Sequence, residues 1–302
     1  MKIRDRVEST LTTQLKRLVQ KPCPPHFAAA LESAVFPGGG RVRPMLVLAV
    51  ARALGVDEQH PHLALAEAGA SALELLHCAS LVHDDLPCFD DAAYRRGLPT
   101  VHAAYGECTA VLVGDALIVA SFQCLVPFTM QPGREALAGR MLAIVGDAAG
   151  SPRGIAAGQA WEAEPSVDLV AYHDAKTASM FEAAVMLGAL AAGASPAQWR
   201  PVGRLLGEAY QLADDLADLA GDAQFLGKPV RQDARNDRPN AARHLGVHGA
   251  TLRLRRTLEA ACEAVPDCPG RDGLIELVNG IGMRLLTVTA PAADTVPDAA
   301  VA

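Results

Sequence analysis

The chain has 302 residues and a mass of 31.6 kDa; 50% of it is hydrophobic, 20% charged and only 4% aromatic, and its net charge is -7 with a pI of about 5.7. That much apolar material excludes disorder over the bulk of the chain. The acidic balance argues against a nucleic-acid binder, which needs a basic surface to displace phosphate counterions. The 7 cysteines, an odd number without a C-x-x-C pair, point to a reducing cytoplasm rather than a zinc knuckle.

Taken in chain order, the N-terminus (Met1-Lys2-Ile3-Arg4-Asp5-Arg6) carries charges with no apolar run behind them, unlike a signal peptide. Ile3 to Val19 has the spacing of an amphipathic helix, broken by Pro22 to Pro25. A second helix is predicted over His26 to Val35, ending at Phe36-Pro37-Gly38-Gly39-Gly40, and a third over Arg43 to Ala53 with Pro44 in its first turn. Leu63 to Val82 reads as a long Ala/Leu helix running into His83-Asp84-Asp85. Further helices are predicted at about 109–126, 134–149, 167–193, 197–221, 250–264 and 271–288. Thr109 to Phe128 is the most apolar stretch; Asp115 and Gln123 interrupt it, so it reads as a buried helix rather than a membrane span. No alternating strand pattern and no linker is visible. The expectation is one all-α domain over 1–288, with a frayed tail over 289–302.

Two acidic clusters stand out. Asp84-Asp85-Leu86-Pro87-Cys88-Phe89-Asp90-Asp91 places carboxylates at a helix C-terminus, because Pro87 disfavours helix at the residue before it. Anions are disfavoured at that end of the macrodipole. In the second, Gln211, Asp214, Asp215 and Asp218 share one helix face by their i, i+3, i+4, i+7 spacing. Leu205, Ala209, Leu212, Leu216 and Leu219 form the opposite, core-facing stripe. Like charges at i and i+4 destabilise a helix unless a cation lies between them, and hard oxygen ligands select Mg²⁺ or Ca²⁺. Each cluster alone is equally the pattern of a solvated acidic surface. Arg41, Arg43, Arg95, Arg96, Lys176 and Lys228, set among these clusters in sequence, tip the balance toward a cavity for polyphosphate and Mg²⁺ with apolar walls.

Gly38-Gly39-Gly40-Arg41-Val42-Arg43-Pro44, the first Asp-rich block running into Arg95-Arg96-Gly97-Leu98-Pro99-Thr100, Gly158-Gln159, Lys176-Thr177 and the second Asp-rich block follow each other in an order that resembles the trans-isoprenyl diphosphate synthases. Ala157-Gly158-Gln159-Ala160-Trp161-Glu162 and Gly227-Lys228-Pro229 are similar to the bacterial geranylgeranyl-forming branch of carotenoid and bacteriochlorophyll pathways. The resemblance implies an all-α isoprenoid synthase bundle with a deep central cavity, a homodimer in the cytoplasm. It implies a prenyltransferase that joins isopentenyl diphosphate to an allylic diphosphate and makes a twenty-carbon product. Farnesyl diphosphate synthase is the alternative; a terpene cyclase or a non-catalytic subunit is a remoter one.

By the same resemblance, Asp84, Asp85, Asp90, Asp214, Asp215 and Asp218 form the catalytic carboxylates. Asp84, Asp85, Asp90, Asp214 and Asp218 would be the ligands of three Mg²⁺ ions. Arg95, Lys176, Thr177, Gln211 and Lys228 correspond to the allylic diphosphate grip, and Arg43, His77 and Arg96 to the isopentenyl diphosphate site. His77, taken alone, reads as a core histidine. Small residues at Ala79 and Ser80, just before Asp84, correspond to an open product tunnel, with Phe122 or Leu125 as a stop elsewhere. Many family members carry Lys at the places of Gly40 and Arg238; here either Arg41 compensates for Gly40 or isopentenyl diphosphate binds more weakly.

Overall fold

Residues 63–84 are apolar on nearly every face, and such a helix has to be surrounded by others. The computed structural model, which describes residues 1–36, 38–220 and 241–288, meets that requirement with a helical bundle. Its central helix, α4 (Leu63–Asp84), is mostly buried between Leu65 and Val82 and packs against α3 (Val42–Ala53), α6 (Glu107–Gln123) and α10 (Ser179–Ala191). α10 is as apolar, and is buried between α3, α4, α7 (Glu135–Ala149) and α11 (Arg200–Ala220). Outer helices bury one stripe each. In α1 (Ile3–Leu18) that stripe is Val7, Leu11 and Leu15, at the i, i+4 spacing of one face. α2 (Pro25–Val35) flanks α6, while α12 (Ala241–Glu263, bent at Gly246) and α13 (Arg271–Val288) close the bundle against α11.

Several expectations change. The helix expected over 167–193 is two, α9 (Leu169–His173) and α10, joined by a single π-helical turn over Asp174–Ala178. Two short helices, α5 (Val101–Tyr105) and α8 (Ile155–Ala160), had no periodicity long enough to signal them. A hairpin of two-residue strands, β1 (Tyr94–Arg95) and β2 (Leu98–Pro99), lies where no strand was expected, since two residues cannot show alternation.

α6 is not fully buried either. Ala110, Val113, Gly114, Leu117 and Ala120 face the bundle, while Val111, Leu112 and Val119 are exposed. Leu63–Asp84 and Glu107–Met130 are both long and apolar enough to cross a membrane; 78% of the most apolar stretch of the first is buried inside the protein, and 39% of that of the second. Leu219, expected in the core stripe of α11, is exposed. Lys228, Arg238 and the tail from Thr289 lie outside the described residues.

Candidate active site

Both carboxylate clusters sit at the C-terminal ends of long helices. α4 ends at Asp84, as Pro87 dictates, and the loop behind it folds back so that the Asp90 N–H bonds the Asp84 carbonyl at 3.0 Å. Asp214, Asp215 and Asp218 lie in the last two turns of α11. Each end carries the negative pole of a helix as well as its carboxylates, so cations must complete the site.

The two ends are joined through the π turn. The neighbours Lys176 and Thr177 within it bear on different clusters. Lys176 Nζ bonds Glu162 and lies 3.9 Å from Asp84 Oδ1, while Thr177 Oγ1 bonds Gln211 Oε1 at 2.7 Å and Gln211 Nε2 donates to Asp215 Oδ1 at 2.8 Å. The turn is wedged between α8 and α11 at two glycines. A Cβ on Gly158 would fall 2.4 Å from Lys176 Cα, and one on Gly207 2.5 Å from Ala178 Cα. π turns of this kind occur frequently at functional sites.

The hairpin separates Arg95 from Arg96. Arg96 and Gly97 form its two-residue loop with φ of 53° and 78°, the left-handed pair a type I′ turn demands. Arg95 turns to Asp85, whose Oδ1 accepts from both Nε (2.9 Å) and Nη2 (2.7 Å) and whose Oδ2 accepts from Nε (2.9 Å). Arg96 turns the other way, lying over Gly39 so closely that a Cβ there would sit 2.4 Å from its Cζ. Asp85 is thus occupied by Arg95 and anchors it. Asp84 differs: its Oδ1 is buried without a hydrogen-bond donor, and Oδ2 is 3.6 Å from Arg95 Nη2. Asp90, Asp215 and Asp218 are buried and Asp214 is exposed. Among the described residues no three His, Cys, Asp or Glu side chains form a group that could hold a cation on their own. An orphaned carboxylate oxygen and hard, incomplete donor sets suit Mg²⁺ completed by a substrate's phosphate oxygens.

Arg43 of α3 and His77 of α4 meet about two turns before Asp84. Arg43 lies over the Phe181 ring at 4.7 Å, Phe181 packs on Tyr210 at 4.7 Å, and Arg43 Nη1 is 3.4 Å from His77 Nε2. Burial, with four arginines around it, holds His77 well below its usual value. The imidazole is therefore neutral, and since guanidinium only donates, Nε2 accepts. Arg43 Nε is buried with no acceptor, a donor left for an incoming anion.

The structure settles one alternative. Arg41 does not stand in for a lysine at position 40. It is buried, with Nε on Glu8 Oε1 (3.0 Å), Nη1 on Glu74 Oε1 (2.7 Å) and Nη2 on the Val35 carbonyl (2.8 Å). Gly40 does not occupy the left-handed region, and a Cβ there would meet only Val42 Cγ2 at 3.4 Å. Gly40→Lys is accordingly expected to melt at the wild-type temperature and to lower the KM for isopentenyl diphosphate about fivefold, the size of one exposed charge contact of ~1 kcal/mol. Steady-state kinetics varying each substrate checks this; an unchanged KM means that another cation already serves there.

Ala79 and Ser80 also part company. Ala79 is 1% exposed and packed into the core, whereas Ser80 is half-buried with its hydroxyl on the His77 carbonyl at 2.8 Å. Leu125 is fully buried in the core, while Phe122 is half-buried opposite Gly146. Sequence reasoning missed Glu162, Tyr172, Phe181 and Tyr210. Their partners lie on other helices, and only the block containing Glu162 carried any signal.

Comparison with known proteins agrees with this geometry. A polyprenyl synthetase profile matches residues 24–269. The chain is 46% identical over 286 residues to a geranylgeranyl diphosphate synthase of Cereibacter sphaeroides, covering 95% of this chain and 97% of that protein. It is 44% identical over 292 residues to the enzyme of the same name from Rhodobacter capsulatus, covering 97% and 99%. Among solved structures, a geranyltransferase from Helicobacter pylori complexed with magnesium and isoprenyl diphosphate superposes with a TM-score of 0.78 at 28% identity, covering 92% of this chain and 96% of that one. With its two carboxylate helix ends bridged by a lysine–threonine π turn, this chain belongs to the polyprenyl synthetase family.

Proposed function

We propose that the chain is a Mg²⁺-dependent prenyltransferase, a geranylgeranyl diphosphate synthase that extends an allylic diphosphate with isopentenyl diphosphate to twenty carbons. The observation that carries the reading is the facing pair of carboxylate helix ends with Lys176 and Thr177 between them. Asp84 and Asp90 on one side, and Asp214 and Asp218 on the other, would hold the metal, as three ions with diphosphate bound. Asp85 is reassigned from ligand to anchor of Arg95. Magnesium, when bound, supplies positive charge against the departing diphosphate.

The side chains do the rest. Arg95, Lys176, Thr177 and Gln211, with Lys228 from outside the described residues, grip the allylic diphosphate. Arg43, His77 and Arg96 hold isopentenyl diphosphate, His77 lying seven residues before Asp84 on nearly the same face of α4. Neutral His77 accepts from Arg43 and leaves that guanidinium's remaining donors for the anion. Apolar helices around the cavity exclude the water that would capture an allylic cation. Incubating the pure protein with labelled isopentenyl diphosphate, farnesyl diphosphate and Mg²⁺ tests the reading. The expected product is a twenty-carbon diphosphate; hydrocarbons would mean a cyclase, and no product a non-catalytic subunit.

The same proposal places the enzyme in the cytoplasm, in keeping with seven unpaired cysteines, and its product at the entry to pigment pathways. It also makes it a homodimer joined through α6. Val111, Leu112 and Val119 are 43%, 58% and 55% exposed on the side of α6 away from the bundle, an apolar patch suited to a second copy of the same helix. Val119→Glu is expected to convert the dimer to a monomer by light scattering; a monomeric wild-type protein overturns this.

A further inference from the structure

Glu162 lies in the 3₁₀ turn Trp161–Ala163 behind α8, outside both carboxylate clusters, with its side chain 9% exposed. Its Oε1 accepts from Tyr172 Oη at 2.8 Å and from Lys176 Nζ, and its Oε2 accepts from Gln159 Nε2 at 3.3 Å. The Lys176 ammonium therefore sits over the Tyr172 ring, 5.7 Å from its centroid, and stops 3.9 Å short of Asp84 Oδ1. That oxygen is buried and has no donor. A flexible lysine beside an unpartnered buried carboxylate oxygen should close the gap, since the oxygen's desolvation is uncompensated. Here it is pulled the other way.

We infer that Glu162 is a positioning residue that holds Lys176 off Asp84, keeping Asp84 Oδ1 open for the metal. The inference rests on the reading of Asp84 as a magnesium ligand and Lys176 as a diphosphate contact. Without the Glu162 charge, Lys176 falls onto Asp84 and competes with the cation for its oxygen. Glutamine at this position keeps an acceptor for Tyr172, so the turn stays folded while the hold on the ammonium weakens.

The test is magnesium binding by calorimetry in the presence of inorganic pyrophosphate, across a double-mutant cycle of the full chain. Glu162→Gln is expected to weaken magnesium about tenfold, the lower end of losses seen when a residue supporting a metal ligand is removed. Glu162→Asp, which keeps the charge, should recover most of that loss. In a Lys176→Met background the further change Glu162→Gln should have little effect, because no ammonium is left to occupy Asp84. A loss of equal size in both backgrounds marks a merely structural role and overturns the inference, as does wild-type affinity in Glu162→Gln. The reading of Lys176 fails separately, if Lys176→Met alone leaves pyrophosphate binding unchanged.

Discussion

Asp84→Ala and Asp214→Ala are each expected to lower turnover by at least a factor of about 10², the scale of removing one electrostatic contact to developing charge, while leaving the fold intact. Asp84 Oδ1 has no hydrogen bond to lose, and Asp214 is exposed on α11. Asp84 opposes the helix dipole where it stands but also faces Arg95 and Lys176 at 3.6 and 3.9 Å, so its loss should leave the melting temperature without metal near the wild-type value. At Asp214, alanine removes the like charge facing Asp218, worth roughly 0.2–0.5 kcal/mol, and is the better helix former, so that melting temperature should hold or rise. Asp85→Ala should behave in the opposite sense. It strips the largely buried Arg95 guanidinium of its fork and is expected to cost about 3 kcal/mol of stability. Steady-state rates and thermal melts on the three variants separate the roles, and near wild-type turnover in Asp84→Ala or Asp214→Ala would sink the metal reading.

Ser80→Phe is expected to change what the enzyme makes. Ser80 lies four residues before Asp84 on α4, ~6 Å along the axis, where a chain growing away from the metal would pass after a few isoprene units. It is half-buried, and its hydroxyl is satisfied within its own helix, so nothing else depends on it. An aromatic ring there should close the path and shift the main product from twenty carbons to fifteen with activity retained. Ala79 was the equal candidate by sequence. Its burial in the packed core makes Ala79→Tyr an overpacking change costing about 1–3 kcal/mol, a poorer test. Chromatography of the dephosphorylated products decides. A Ser80→Phe variant still making twenty carbons, or a wild-type enzyme stopping at fifteen, defeats the claim.

How much of this was legible in the sequence depends on the range of the forces involved. Helix ends set by Pro87 and by the glycines before Arg41 are local, and α3 and α4 fall where those residues put them. The shared face of Gln211 and Asp215 follows from spacing, and the bond between them confirms it. What depends on contact between distant segments was not legible. Arg41 looked like a spare cation until Glu8 and Glu74, on two other helices, were found holding it. The resemblance assigned Arg95 and Arg96 to different substrates, but the left-handed turn between short strands that sends them apart had no signal of its own. Glu162 lay in a block that carried the resemblance but had no role of its own, because its partners Tyr172 and Lys176 come from α9 and the π turn.

The π turn at Asp174–Ala178 also governs how this chain can vary. Each residue advances an α-helix by ~100°, so one residue added to that turn would rotate everything after it by more than a quarter of a circle. Met180, Phe181, Ala184 and Leu187 would then swing out of the core that α10 fills. Point substitutions leave that phase untouched, whereas a single insertion, however conservative in composition, would unship α10. Over these five residues length is therefore constrained as well as the identities of Lys176 and Thr177.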